Sequence, residues 1–261
     1  MRTIAIANQK GGCGKTTTAV NMAASLAMSG YRTLLVDFDP QGHATLGLGL
    51  EPSTLSKTMH DAMVDMHTPI SQVIHQVQID RLAVAPSSIL LGTIEFELYQ
   101  RAGREWLLNE RLSQVANQYD YTIIDCPPQL SLLMVNALLA SHYIIITVQT
   151  QYYALEGLKR LLETVNILRK RFHPSNARTL GLLLTFVEDR VAISRQVQQQ
   201  LREYFGKLVF DTVIHKNTRL AEAPSAGQSI LTYAPNTKAA FEYRALAEEM
   251  TNRIRALEVT L

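Results

Sequence analysis

The chain has 261 residues, 47% of them hydrophobic, and its 25 Lys/Arg against 23 Asp/Glu leave a net charge of +2. That is enough chain and enough apolar surface for one α/β domain, residues 1–261, with a substantial core. No apolar run approaches the roughly 18–20 residues of a membrane-spanning helix, and a net charge so near zero does not by itself call for a nucleic-acid partner.

The first expected element is a buried strand over Thr3–Ala7 that opens the chain, so no signal peptide is expected. A glycine-rich turn follows, Lys10-Gly11-Gly12-Cys13-Gly14-Lys15-Thr16-Thr17, and then a helix from Thr18 to Ala27. Strand, glycine turn, Lys-Thr and helix is the context of a phosphate-cradling loop. Its glycines let backbone N–H groups turn inward, and the helix adds its positive end. Lys15 is placed to reach the β- and γ-phosphates, and the Thr16 hydroxyl to ligate magnesium. The usual spacing puts the first glycine at position 9, which is Gln9; a second lysine, Lys10, opens the loop instead.

Further strands are expected at Arg32–Asp37, Arg81–Ala85, Tyr121–Asp125, Tyr143–Val148 and Thr179–Phe186, and another from Leu208–Phe210 to Val213–Ile214. Helical patterns lie near 95–118, 131–140, 155–171, 192–205 and 237–257. The stretch 50–78, with Pro52 and Pro69, carries weak periodicity. Near-continuous apolar strands between helices point to a doubly wound, mostly parallel sheet with helices on both faces and a ligand at the carboxyl ends of the strands.

Two of those strand ends are acidic. Asp37-Phe38-Asp39-Pro40-Gln41-Gly42 closes the second strand, and Asp125-Cys126-Pro127-Pro128 closes another. Together with the loop they suit a magnesium–nucleotide site, because magnesium takes oxygen ligands and is commonly held by one or two carboxylates. Asp37 or Asp39 alternatively caps the turn that follows. Cys13 and Cys126 are too few for a disulfide framework, so a reducing cytoplasm is expected. Cys13 at a helix N-terminus raises a redox reading; a small residue filling a tight turn is the plainer one.

The glycine loop resembles the deviant Walker A motif, KGGxGK[ST], of the ParA/MinD family of ATPases. Asn8-Gln9, Asp39-Pro40-Gln41-Gly42, Ile124-Asp125-Cys126-Pro127-Pro128 and Asn217-Thr218-Arg219-Leu220-Ala221-Glu222-Ala223-Pro224-Ser225 extend the resemblance to its ParA/Soj branch, across positions 8 to 225. It implies ATP and Mg2+ as cofactors. Nucleotide contacts fall on Lys10, Gly11, Gly12, Cys13, Gly14, Lys15, Thr16, Thr17 and Asn217, with the base near the 214–218 loop. Thr16, Asp39 and Asp125 would serve the metal, and Asp39 would position the attacking water. Lys10 would cross to the nucleotide of a second subunit in a sandwich dimer.

The branch also implies sequence-independent DNA binding by the ATP-bound dimer. It implies release when a ParB-like or cargo-adaptor protein stimulates slow hydrolysis, and a cytoplasmic, nucleoid-associated location. Residues 1–150 carry 9 Lys/Arg against 12 Asp/Glu, whereas the rest carries 16 against 11. Candidate DNA contacts are Arg190, Arg195, Lys207, Lys216 and Arg219; solvated helix faces would give the same charge count. Cargo, whether chromosome, plasmid or a protein body such as a carboxysome, is not written in the chain. A MinD-like membrane-patterning role needs a basic amphipathic C-terminal helix, and the tail 248–261 lacks a cationic stripe with bulky aromatics. An iron–sulfur branch needs a bridging cysteine pair, for which neither cysteine has suitable neighbours.

Overall fold

The computed structural model describes residues 1–151, 154–172 and 177–259. Seven strands form one sheet: β1 (Arg2–Ala7), β2 (Thr33–Asp37), β3 (His75–Gln76), β4 (Leu82–Ala85), β5 (Tyr121–Asp125), β6 (Tyr143–Gln149) and β7 (Arg178–Thr185). Their spatial order is β3-β4-β2-β5-β1-β6-β7. Every pairing is parallel except β3 with β4.

The parallel strands are apolar on both faces because both faces are covered. Ile4 and Ile6 of β1 turn toward the helices Lys15–Met28 and Lys238–Val259, among Met22, Leu26, Tyr243 and Met250. Ala5 and Ala7, offset by one residue, turn toward the opposite layer with Leu107, Leu133 and Leu161. The alternation is the two-residue period of a strand put to use on two cores.

Strand order sets the position of the site. β1 lies between β5 and β6, so the chain leaves β1 toward one side of the sheet and later returns on its other side; a crevice opens at the carboxyl end of β1. Register brings the acidic strand ends level, with Asp125 opposite Ile6 on one side and opposite Asp37 on the other.

Three expectations change. The helix over 95–118 is broken into Ile94–Glu97, a short 3-10 turn Arg104–Trp106 and Leu107–Ser113. The first piece ends at Glu97, and Gly103, at φ 74, a left-handed conformation that a continuous helix does not hold, opens the 3-10 turn. The segment 208–214 is not a full strand: it follows the edge of β7 through the parallel bridge Leu182 to Val209 and through the amides of Phe210 and Ile214, which donate to the carbonyls of Leu182 and Leu184. The weakly periodic stretch 50–78 contains a helix at Met59–Val64, where Thr58 and Asp61 form a capping box, and the two residues of β3.

Arg253 of the helix Lys238–Val259 pins this edge. Its guanidinium lies 4.1 Å from the Phe210 ring centroid, pairs with Glu249 at 2.8 Å, and donates to the carbonyls of Leu180, Lys207, Leu208 and Val209. A Cβ on Gly181 would stand 2.5 Å from the Phe210 ring and 2.9 Å from Arg253. Gly181→Ala is therefore expected to destabilise by about 1–3 kcal/mol through overpacking. Thermal unfolding would read this as a midpoint lower by roughly 2–10 °C; an unchanged midpoint would mean the ring moves aside freely.

The C-terminal tail packs on the body of the protein: Met250, Thr251 and Ile254 are buried. Residues 260 and 261 of that tail lie outside the described residues. Among the described residues no helix is long and apolar enough to cross a membrane.

Candidate functional site

The loop after β1 is held from three directions. Asn8 donates to the carbonyl of Thr147 on β6 and accepts from the Lys10 amide at 2.9 Å. Thr185, the last residue of β7, donates to the Cys13 carbonyl at 3.0 Å. The Cys13 thiol, 1% exposed, bonds the Lys10 carbonyl at 3.1 Å and meets the Thr147 hydroxyl at 3.2 Å. Cys13 is thus a packed element of the turn, which supports the plainer of its two readings. Gly12 and Gly14 have φ of 70 and 82, which L side chains rarely adopt. Gly14 directly precedes the helix Lys15–Met28, so the helix's free N–H groups and positive end face the loop.

The two lysines occupy different surroundings. Lys15 is 7% exposed and its ammonium donates to the Lys10 carbonyl at 3.0 Å; among the described residues it has no ion-pair partner. A buried cation without a counter-ion is costly, and a polyphosphate is the ligand that removes that cost. Lys10 is exposed at the mouth of the loop, where its ammonium donates to the side chain of Gln151 at 2.9 Å.

The three aspartates divide their tasks. Asp37 is fully buried and accepts from the amide and hydroxyl of Thr45, both at 2.7 Å, and from the Asp39 amide at 3.3 Å. Both its oxygens are thereby committed to shaping the loop, so Asp37 follows the capping alternative. Asp39 is half-buried; one oxygen accepts from the Gln41 amide at 3.0 Å, and its other oxygen is left for the site. Asp125 is the outlier: it is fully buried, and neither carboxylate oxygen has a hydrogen-bond partner of ordinary geometry.

Burial pushes the Asp125 carboxyl well above the usual carboxylate range, and the neighbouring Asp37 adds to the shift; the Thr16 hydroxyl and the Lys15 charge oppose it. Asp37 is raised for the same first reason, against its bonds to Thr45 and Asp39. Two orphaned buried oxygens beside a threonine hydroxyl fit a divalent cation. Among the described residues no three acidic, histidine or cysteine side chains converge into a preformed metal cage. That is the donor set magnesium uses when substrate phosphate and water complete its shell.

Beside the loop lies a cavity of about 280 Å³, mostly apolar, lined by Gly14, Thr17, Phe186, Ile214, Asn217 and Tyr243 among others. Its position next to the phosphate loop and its apolar lining suit a nucleobase. Asn217 also caps the short helix Thr218–Glu222 by accepting from the Arg219 amide at 2.9 Å. Phe186 sits at φ 52, a conformation costly for an aromatic residue, right at the cavity wall. Sequence reasoning reached Asn217 and the 214–218 loop but missed Phe186, Tyr243 and Thr185. Each is an ordinary residue in a strand end or helix, and only the fold carries it to the loop.

The five basic candidates do not form one group. All five are exposed. Arg190 lies in the loop at the carboxyl end of β7, Arg195 in the first turn of the helix Ala192–Phe205, Lys216 in the loop that lines the cavity, and Arg219 in the short helix Thr218–Glu222 beside it. Lys207 is different: it follows the helix Ala192–Phe205 and lies with Leu180 and Arg253, toward the amino end of β7. The chain must travel back along the edge of the sheet between Lys207 and Lys216, which separates them. Lys216 pairs with Glu188 at 3.4 Å and Arg219 with Glu222 at 2.8 Å.

Comparison with known proteins follows the same lines. A family model described as an AAA domain matches residues 1–177. The chromosome partitioning protein ParA of Myxococcus xanthus is 43% identical over 97% of this chain and 88% of its own length. The sporulation initiation inhibitor protein Soj of Bacillus subtilis is 45% identical over 95% of this chain and 97% of its own length. Among solved structures, a Mycobacterium smegmatis protein described as cobyrinic acid a,c-diamide synthase, with bound ADP and magnesium, superposes with a TM-score of 0.83. It is 31% identical over 95% of this chain and 93% of that one. A loop opened by Lys10 and closed by Lys15-Thr16, aspartates at the ends of β2 and β5, and identity above 40% along nearly the whole length agree: the chain belongs to the ParA/Soj branch of the ParA/MinD family of partitioning ATPases.

Proposed function

We propose that this protein is an ATP- and Mg2+-dependent positioning ATPase whose ATP-bound form is a sandwich dimer that binds DNA without reading its sequence. A ParB-like or cargo-adaptor partner stimulates slow hydrolysis and releases the subunits from the nucleoid. The observation that carries this reading is the division between the lysines. Lys15 is buried in its own loop, whereas Lys10 stands at the loop mouth with its charge at the surface, in reach of a second copy. Thr16 and Asp125 hold the magnesium, and Asp39, whose second oxygen makes no bond among the described residues, orients the attacking water. Phosphoryl transfer needs little covalent chemistry from the protein, so positioning and charge neutralisation suffice.

Binding to unrelated duplex DNA, measured with ATP, ADP and no nucleotide at low and high salt, tests the reading. Tight binding is expected only with ATP, weakening steeply with salt as phosphate contacts are screened. Equal binding in all three states would remove nucleotide gating. The mycobacterial structure brings a metabolic alternative; turnover stimulated by cobyrinic acid and indifferent to DNA would favour it.

The buried carboxyls add a pH signature. Asp37 and Asp125 are raised in the fold, so each keeps a proton that the unfolded chain has already lost. Their contribution is present at low pH and is lost as pH rises through the folded-state values. A cation on Asp125 displaces that proton. Calorimetry of Mg–nucleotide binding in two buffers of different ionisation enthalpy should show release of up to about one proton, and Asp125→Asn should abolish it. Equal heats in both buffers would show Asp125 already ionised before the metal arrives.

A further inference from the structure

The helical segment after β4 is apolar on two sides. Leu91, Ile94 and Leu98, three and four residues apart, turn inward and are buried in the core. Ile89, Phe96 and Tyr99 fall on the opposite side of the same turns and stand in the open, Phe96 at 85% exposure and Tyr99 at 74%; Leu90 is exposed beside them. The outward side of a surface helix is ordinarily polar, and a helix that is apolar all round is one that something covers.

The bare side borders the nucleotide site. Gly92 lies along it and packs on Pro40, the neighbour of Asp39: a Cβ on Gly92 would stand 3.6 Å from the Pro40 side chain. The Glu95 carboxylate accepts from the Leu132 amide, which ties the segment to the loop that follows Asp125. Leu130 of that loop is exposed as well. All these segments leave β1, β2, β4 and β5 at their carboxyl ends, and those four strands are parallel. The exposed apolar residues, Asp39 and the Lys10 loop therefore share one edge of the sheet.

That edge names the occupant. In the sandwich described above, Lys10 serves the nucleotide of a second copy, so two carboxyl edges face each other about a two-fold axis. Whatever borders one edge then meets the other copy. The area agrees: at their exposures Phe96 and Tyr99 together can bury about 240–400 Å². That is already the size of the largest apolar patch on an ordinary monomer, and it goes toward the roughly 800 Å² per partner of a stable interface. We propose that Ile89, Leu90, Phe96, Tyr99 and Leu130 form an apolar shoulder beside the site that a second copy of this chain covers. The proposal rests on the dimer reading given above and adds the source of the pairing energy, which is apolar burial next to the nucleotide as well as contact with the nucleotide itself.

The test uses the full chain carrying Asp39→Ala, saturated with ATP, and follows its monomer–dimer equilibrium by analytical ultracentrifugation. In that background Phe96→Ser and Tyr99→Ser should each raise the dimer dissociation constant by about ten- to a hundred-fold. ATP affinity and the unfolding temperature of the nucleotide-free chain should change little, because both side chains are exposed. Leu90→Cys reads the covering directly, since the native Cys13 and Cys126 are both buried. ATP should slow its labelling by a maleimide, and more so at higher protein concentration. An unchanged dissociation constant in both serine variants, or protection of Leu90→Cys that does not depend on protein concentration, would overturn the proposal. Should a serine variant fail to fold, the labelling of Leu90→Cys decides alone. An Asp39→Ala chain that stays monomeric with ATP at every concentration would instead remove the dimer reading, and the shoulder's role with it.

Discussion

Lys15→Ala is expected to lose ATP and ADP together while leaving the fold intact. The side chain is buried, has no ion-pair partner among the described residues, and its ammonium donates back to the Lys10 carbonyl of the glycine loop. Truncating one member of a buried, hydrogen-bonded charge pair costs roughly 2–5 kcal/mol, which is a weakening of about thirty- to several-thousand-fold. The unliganded protein behaves the opposite way. Removing an uncompensated buried cation relieves a desolvation cost, so the nucleotide-free variant should unfold at the wild-type temperature or above it. Calorimetric titration and thermal unfolding separate the two effects. Retained nucleotide affinity, or a marked loss of apo stability, would show that Lys15 serves the fold rather than the phosphates.

Asp39→Ala and Lys10→Ala are expected to stop turnover by different routes. On the proposed assignment of Asp39 to the attacking water, its removal should lower hydrolysis by about 10²–10⁴. Nucleotide affinity should change little, because Asp39 shapes only a local turn through Gln41. ATP should then accumulate on a dimer that size-exclusion chromatography resolves. Lys10→Ala should also bind ATP, since Lys10 is exposed and its ammonium reaches only Gln151. Charge supplied in trans to a transferring phosphoryl group accounts for about 10³–10⁵ in rate, and a loss of that order is expected with no dimer accumulating. Wild-type hydrolysis by Asp39→Ala would dismiss its assignment to the water. A Lys10→Ala protein that paired and hydrolysed normally would dismiss the trans lysine.

Much of this was legible before any fold was known, for a local reason. A phosphate loop is a contiguous device: the glycines, Lys15 and Thr16 act within eight residues, and β1 and the helix Lys15–Met28 flank them in sequence. The parallel sheet was equally readable, because strands buried on both faces must be apolar throughout. The elements that were misread were those whose fate depends on neighbours. The segment 208–214 has the composition of a strand, yet Arg253 draws its carbonyls of Lys207, Leu208 and Val209 away from a ladder with β7. The pattern over 95–118 is periodic on either side of Gly103, and periodicity does not register one left-handed residue.

The sequence by itself marked out the glycine loop, its two lysines and the two acidic strand ends as one place, since those groups lie close along the chain or at ends that parallel topology forces to one edge. Tertiary structure alone decided which aspartate is spent on the loop and which is left bare. Asp37 and Asp125 are alike as letters, but Thr45 satisfies one and nothing in the described protein satisfies the other. It decided likewise that Lys207 stands apart from the other basic residues. Charge pairing and desolvation act through space and fall off within a few ångströms, so they are fixed only when the sheet has brought distant segments together.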